Sequence, residues 1–160
     1  MDRFNLASLF RIGKEQQGRR RGERRANTRT IPRVGTTVLV VDDSKTVRFT
    51  LSRMLEQGHF QVLHAEDGEI GIEKAIAHRP QLIIMDIMMP GINGFRATRH
   101  LRKEENTRDI PIIMISGNEE AIDQFWSARV GADGFLPKPF TRGGLYKVIE
   151  SVLYRNETAA

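Results

Sequence analysis

The amino-acid sequence predicts an α/β domain: a doubly wound, five-stranded parallel sheet with helices on both faces. Three observations carry this. Short apolar runs alternate with segments of helical periodicity five times, over brief connections. The runs Val38–Val41, Leu82–Met85 and Pro111–Ile115 are continuous rather than alternating, as strands buried on both faces are. Each helical segment carries one apolar stripe and so needs a sheet to lie against. Crossovers between parallel strands are right-handed.

The elements follow in order. Val38–Val41 is the first strand and ends in Asp42-Asp43. Ser44 is placed to cap a helix whose stripe is Val47, Leu51, Met54 and Leu55, closed by Gly58. Phe60–His64 reads as the second strand. Asp67-Gly68 turns the chain into a helix with Ile72, Ala75 and Ile76 facing inward, stopped by Pro80. Leu82–Met85 is the third strand, stopped by Pro90-Gly91 after Asp86. Asn93 can cap a helix bearing Phe95, Thr98 and Leu101. Pro111–Ile115 is the fourth strand, ending in Ser116-Gly117. A helix with Ile122, Phe125, Trp126 and Val130 runs to Gly131. Gly134–Leu136 is a short fifth strand before Pro137-Lys138-Pro139. Thr141 caps a last helix with Leu145, Val148, Ile149, Val152 and Leu153 inward, and the chain after Tyr154 reads as a tail.

At 160 residues the chain suits one domain, and an apolar content of 39% allows a real core. Cysteine is absent, so disulfides and thiolate metal sites are excluded, which fits a cytoplasmic location. No apolar run approaches the roughly 20 residues of a membrane span, and the N-terminus lacks a signal-peptide core. Charge is unevenly distributed. Residues 1–35 hold 10 Lys+Arg against 3 Asp+Glu, whereas residues 36–160 hold 15 against 17. Three parts are expected: a flexible basic arm over 1–35, a folded domain over 36–154 and a tail over 155–160. Phe4, Leu6, Leu9, Phe10 and Ile12 make only an imperfect stripe, and the Arg-rich stretch 14–33 reads as a solvated linker. His59, His64, His78 and His100 show no ligand spacing.

In a parallel sheet the C-terminal ends of all strands share one edge, which is where ligands bind in open α/β sheets. A single carboxylate after a strand is ordinarily a cap or loop residue. Here the edge collects Asp42 and Asp43 from the first strand, Asp86 from the third, Ser116 from the fourth and Lys138 after the fifth. Separate capping roles do not explain three carboxylates facing a lysine. Such carboxylates repel one another unless a cation sits among them. Mg²⁺ is commonly held by one or two carboxylates together with phosphate oxygens. The set therefore points to phosphoryl transfer, with Asp86 as nucleophile and Mg²⁺ and Lys138 offsetting the incoming charge.

Four segments, Val-Leu-Val-Val-Asp-Asp-Ser (38–44), Met-Asp-Ile-Met-Met-Pro-Gly-Ile-Asn-Gly (85–94), Ile-Ser-Gly (115–117) and Leu-Pro-Lys-Pro-Phe (136–140), together resemble the CheY-like receiver domain of two-component response regulators. The resemblance covers about residues 37–154. It implies a flavodoxin-like strand order 2-1-3-4-5. It implies Asp86 as phosphoacceptor, and Mg²⁺ held by Asp42, Asp43, Asp86 and the main-chain carbonyl of Met88. Ser116 and Phe135 match the family's switch pair, Lys138 its phosphate-contacting lysine, and the Lys138–Pro139 bond is expected to be cis. The segment around Trp126, Gly131, Lys138 and Pro139 also resembles small regulators of type IV pilus twitching motility.

The expected function is then phosphoryl acceptance from a sensor histidine kinase or phosphotransfer protein. Self-phosphorylation on Asp86 is expected, with no turnover of an external substrate. An output protein is expected to bind the face of Trp126, Phe135 and the last helix. The chain ends soon after its fifth helix, so a stand-alone regulator without a DNA-binding domain is expected. A metal-dependent phosphatase using an Asp nucleophile would need a second acid two residues on, where this chain has Met88. The alternative to a solvated arm is that it binds nucleic acid or an anionic surface, since clustered Arg favours phosphate. It has few aromatics for base stacking, and Arg25…Arg29 matches a cyclic-dinucleotide spacing only through a very common pattern.

Overall fold

The computed structural model describes residues 34–127 and 130–157. Five strands, β1 (Thr37–Val41), β2 (Gln61–Ala65), β3 (Leu82–Asp86), β4 (Ile112–Ser116) and β5 (Gly134–Pro137), form one sheet in the order β2-β1-β3-β4-β5. Every pairing is parallel. The helices are α1 (Lys45–Glu56), α2 (Gly68–His78), α3 (Gly94–Lys103), α4 (Glu119–Ser127) and α5 (Arg142–Glu157).

The continuous apolar runs become the central strands because both of their faces are covered. β3 and β4 are buried at every position. Side chains alternate across a strand, and the alternation sorts the core into two layers. Val38, Val40, Leu82, Ile84, Ile113, Ile115 and Leu136 pack with Leu51 and Leu55 of α1 and with Leu145, Ile149 and Val152 of α5. Leu39, Val41, Ile83, Met85 and Ile112 pack with α2 and α3 on the other face. Ile87 and Met114 join Phe95 of α3 and Ala121 of α4 there.

Local chemistry sets the helix starts. Ser44, Asp67 and Asn93 each accept from a main-chain N–H three residues on, satisfying a donor that the first turn leaves unpaired. Asn118 does the same for Ala121 ahead of α4, and Thr141 Oγ1 accepts from Gly144 N ahead of α5.

Several expectations shift. Gly58 does not close α1. The left-handed residue is His59 (φ 63°), and Gly58 is needed because a Cβ there would collide with the ring of Tyr146. Tyr146 crosses to donate its hydroxyl to Met54 O at 2.8 Å. Phe60 is buried just ahead of β2, which begins at Gln61. Ile76 in the last turns of α2 is 38% exposed. Trp126, on the face expected to meet an output protein, is 73% exposed. It lies five residues, or about 140°, around α4 from the buried Ala121. Its ring instead sits edge-on against Phe125 at 5.1 Å. α5 continues to Glu157, past the tail expected after Tyr154, because Arg155-Asn156-Glu157 contains no helix breaker. The basic arm lies outside the described residues except for Val34 and Gly35.

One side chain ties the far end of the sheet together. Arg102 Nε donates to Gly131 O at 2.8 Å, and Nη1 donates to Arg108 O and Ile110 O. Its Nη2 reaches Asp133 Oδ2 at 2.9 Å, and the same oxygen accepts from Ile112 N.

Candidate functional site

The two central strands β1 and β3 are neighbours, with Val41 in register with Met85. Asp42 therefore follows its strand beside Asp86, the last residue of β3. Alternation places both side chains on the face of Val40 and Ile84, the α1/α5 layer, at the point where that layer opens to solvent. Lys138, two residues past Leu136, shares that parity. Its Nζ donates to Asp42 Oδ2 at 3.0 Å and lies 3.3 Å from Asp86 Oδ1. Asp42 is fully buried, Asp86 is 5% exposed and Asp43 is exposed. The backbone anchors Asp42 further: its Oδ1 accepts from Ser44 N at 2.8 Å, and its carbonyl accepts from Arg48 Nη1 at 2.6 Å.

Burial, and next the negative charge of Asp42, push the Asp86 carboxyl up to about 6, against the opposing pull of Lys138. Burial alone would lower Lys138. The hydrogen bond to Asp42 and the charges of Asp86 and Asp42 outweigh it, so its pKa lies above the ordinary lysine value. One ammonium thus serves two buried carboxylates, leaving net negative charge at the edge.

One oxygen from each of Asp42, Asp43 and Asp86 lies within 4.8 Å of the others, a metal-sized grouping that no other acids, histidines or cysteines make among the described residues. An all-oxygen, under-neutralised donor set fits a hard divalent cation.

The remaining expected residues surround this edge. Ser116 is buried at the end of β4, where its Oγ accepts from Asn118 N at 3.2 Å and its carbonyl accepts from Lys138 N at 2.9 Å. Phe135 lies opposite Met114, two residues below Ser116. Its ring packs in the α3/α4 layer, 4.9 Å from that of Phe125. The Lys138–Pro139 bond is cis. Met88 is 55% exposed in the β3–α3 connection. Gly94 begins α3 against the back of the end of β3. A Cβ there would meet Ile87 Cα at 2.9 Å and overlap Asp86 O, so only glycine fits. Sequence reasoning missed the holds of Arg48 on the Asp42 carbonyl and of Arg102 on Asp133. Neither has a local signal, since an exposed-helix arginine is indistinguishable in sequence from one that folds back.

The family profile of the response regulator receiver domain matches residues 38–150. The chain belongs to the response regulator receiver family. It is 43% identical over 116 residues to the protein PilH of Pseudomonas aeruginosa, covering 72% of this chain and 96% of PilH. It is 36% identical over 118 residues to the phosphate regulon transcriptional regulatory protein PhoB of Escherichia coli, of which it spans only 52% against 74% of its own length. In structure the receiver is similar to the chemotaxis response regulator CheY4 of Vibrio cholerae, with a TM-score of 0.68 and 32% identity over 74% of this chain and 98% of that one. It is also similar to the receiver domain of a sensor histidine kinase from Pseudomonas aeruginosa PAO1, described with a magnesium ion in its active-site cleft. That likeness has a TM-score of 0.69 and 29% identity, and covers 75% of this chain and 98% of the other. The protein is a response regulator of two-component signal transduction. No helix among its described residues is long and apolar enough to cross a membrane.

Proposed function

We propose that this receiver accepts a phosphoryl group on Asp86 from a histidine kinase or phosphotransfer protein and changes its binding to an output protein as a result. The observation that carries the reading is the pairing of a buried, charge-strained Asp86 with Lys138 and two further carboxylates on one open edge. The ionised carboxylate attacks phosphorus, and Lys138, already 3.3 Å from Asp86, follows the charge as it moves onto the phosphoryl oxygens. Asp42, Asp43 and Asp86, with the Met88 main-chain carbonyl, are the ligands proposed for Mg²⁺, which would supply charge neutralisation for the entering phosphate. No external substrate is turned over.

A phosphoryl oxygen on Asp86 is a strong acceptor. In this reading the Ser116 hydroxyl leaves the Asn118 N–H to meet it, and the Phe135 ring shifts within its aromatic cluster. The output surface is the face of Trp126, Phe135 and α5, where a groove of about 570 Å³ is lined by Phe125, Trp126, Phe135 and Val148 among others. The likeness to PilH and to twitching-motility regulators supports a role in motility or chemosensory signalling in the cytoplasm. Residues 36–154 are proposed as the functional receiver, with the arm outside it.

The test is phosphate uptake from acetyl phosphate. One phosphoryl group per chain is expected for the wild type with Mg²⁺, and none for Asp86→Ala or after chelation. Uptake that survives either change refutes the site. Ser116→Ala should take up phosphate yet lose the phosphate-dependent change in Trp126 emission.

A further inference from the structure

Every residue of α3 that is not buried is basic. Gly94, Phe95, Ala97, Thr98 and Leu101 are buried, and Arg96, Arg99, His100, Arg102 and Lys103 make up the rest. Arg102 folds back onto Gly131 and Asp133. The other four are exposed. Their intervals of three, four and seven residues line them up along one face of the helix. His100 has Glu104 at 3.9 Å, but Arg96, Arg99 and Lys103 form no ion pair among the described residues. Glu69 and Glu73 of the neighbouring α2 are exposed and do not pair with them either.

Helix stability does not account for this stripe. Cations suit the last turn of a helix, which covers His100 and Lys103. Arg96 sits instead in the first turn, at the positive end of the helix dipole, and no acid accompanies it there. Arg96 with Arg99, and Arg99 with Lys103, are like-charge neighbours that weaken a helix. Residues 36–160 hold 15 Lys+Arg against 17 Asp+Glu, so the stripe is a local excess on a mildly acidic domain.

We propose that this face of α3 is the docking site for an acidic helix of a partner protein. A second helix repeats its side chains at the same rise, about 4.5 Å for three residues and about 6 Å for four. Carboxylates at i, i+3, i+4 and i+7 therefore meet residues 96, 99, 100 and 103, and the pattern reads the same in either direction. Guanidinium groups at Arg96 and Arg99 suit bidentate contact with carboxylates. A bilayer or a nucleic acid presents a broad anionic surface, which would also meet the exposed Glu104 and Glu105 just beyond Lys103. A single helix meets the stripe alone. This surface is distinct from the one proposed for output, and the inference does not depend on phosphoryl acceptance.

The experiment uses the full chain, so residues 1–35 add the same background to every protein compared. The probes are two labelled alanine-based peptides of equal length, each with four Glu residues. One carries them at i, i+3, i+4 and i+7, and the other spreads them around the helix. Fluorescence anisotropy at low salt is expected to show the striped peptide binding wild type about tenfold tighter than the spread one. Arg96→Glu/Arg99→Glu/Lys103→Glu should abolish that preference. Arg53→Glu/Arg79→Glu/Lys147→Glu, an equal change of charge at exposed sites on other elements, should keep it. The single variant Arg96→Glu should raise the urea midpoint, because an acid is favoured in the first turn. The proposal is overturned if wild type binds both peptides equally, if both triple variants lose the preference, or if Arg96→Glu lowers the midpoint. It is also overturned if reversing the stripe weakens binding to phosphatidylserine vesicles or duplex DNA more than binding to the striped peptide.

Discussion

Replacing Asp86 with Asn should stabilise the fold while abolishing phosphate uptake. The carboxyl rises from 3.8 to about 6 on folding, chiefly through burial and then through repulsion by Asp42. A group with a raised folded pKa contributes stability that is complete below the unfolded value and lost as pH climbs through the folded one. The gap corresponds to about 3 kcal/mol. It is lost between pH 4 and 6, so at pH 8 wild type carries the full penalty of holding Asp86 ionised. Asn keeps the shape and removes the charge, and Lys138 keeps its partner Asp42 at 3.0 Å. Urea unfolding of both proteins, in chelator, at pH 8 and pH 4.5 measures the effect. The variant should be more stable by up to about 3 kcal/mol at pH 8, and its advantage should be about 2 kcal/mol smaller at pH 4.5. Saturating Mg²⁺ should narrow the pH 8 gap, because a ligand that prefers the wild-type folded state stabilises it. The electrostatic reasoning fails if Asp86→Asn is no more stable than wild type at pH 8, or if its advantage is the same at both pH values.

Other perturbations have equally definite outcomes. Gly94→Ala places a methyl group against the backbone of Asp86 and Ile87. It should cost about 2 kcal/mol in urea unfolding and slow phosphate uptake, although residue 94 bears no reactive group. Arg102→Met removes four hydrogen bonds but keeps much of the aliphatic stem. The loss should be about 3 kcal/mol by the same assay, since bonds from a charged donor are among the stronger ones. Met88→Asn should lose phosphate faster than wild type, because an amide can orient water where a thioether cannot. An equal or slower rate removes Met88 as the control point. Deleting residues 1–33 should leave the rate of phosphate uptake unchanged, measured with acetyl phosphate against the full chain.

Most of the site was legible in the sequence because its residues interrupt apolar runs. Asp86 is the one charged residue in Leu82–Pro90, and Asp42 and Ser116 likewise end uninterrupted runs. Parallel topology then gathers strand ends on one edge without any detailed packing information. Helix caps were legible at Ser44, Asn93 and Thr141 because capping is a local interaction. The degree of exposure of Trp126 was not, because the stripe on α4 tells which residues are apolar but not how deeply each is covered. The close approach of Tyr146 to Gly58 was equally hidden. Tyr146 is 88 positions away in the chain and adjacent only after α5 has docked.

The Arg102 clamp has a bearing on the order of folding events. Its acceptors Gly131 and Asp133 lie 29 and 31 residues further along the chain, so none of that bonding forms until β4 has joined the sheet and the chain has returned toward β5. Contacts that close so late are absent from a transition state nucleated around the central strands. They act on the barrier from the native side alone. In a chevron plot, the share of the Arg102→Met loss carried by the Gly131 and Asp133 bonds should therefore appear in the unfolding arm, whereas the bonds to Arg108 O and Ile110 O, only 6 and 8 residues away, can form early and appear in the refolding arm. The long-range half of the clamp then governs how long the native receiver persists rather than how quickly it is reached.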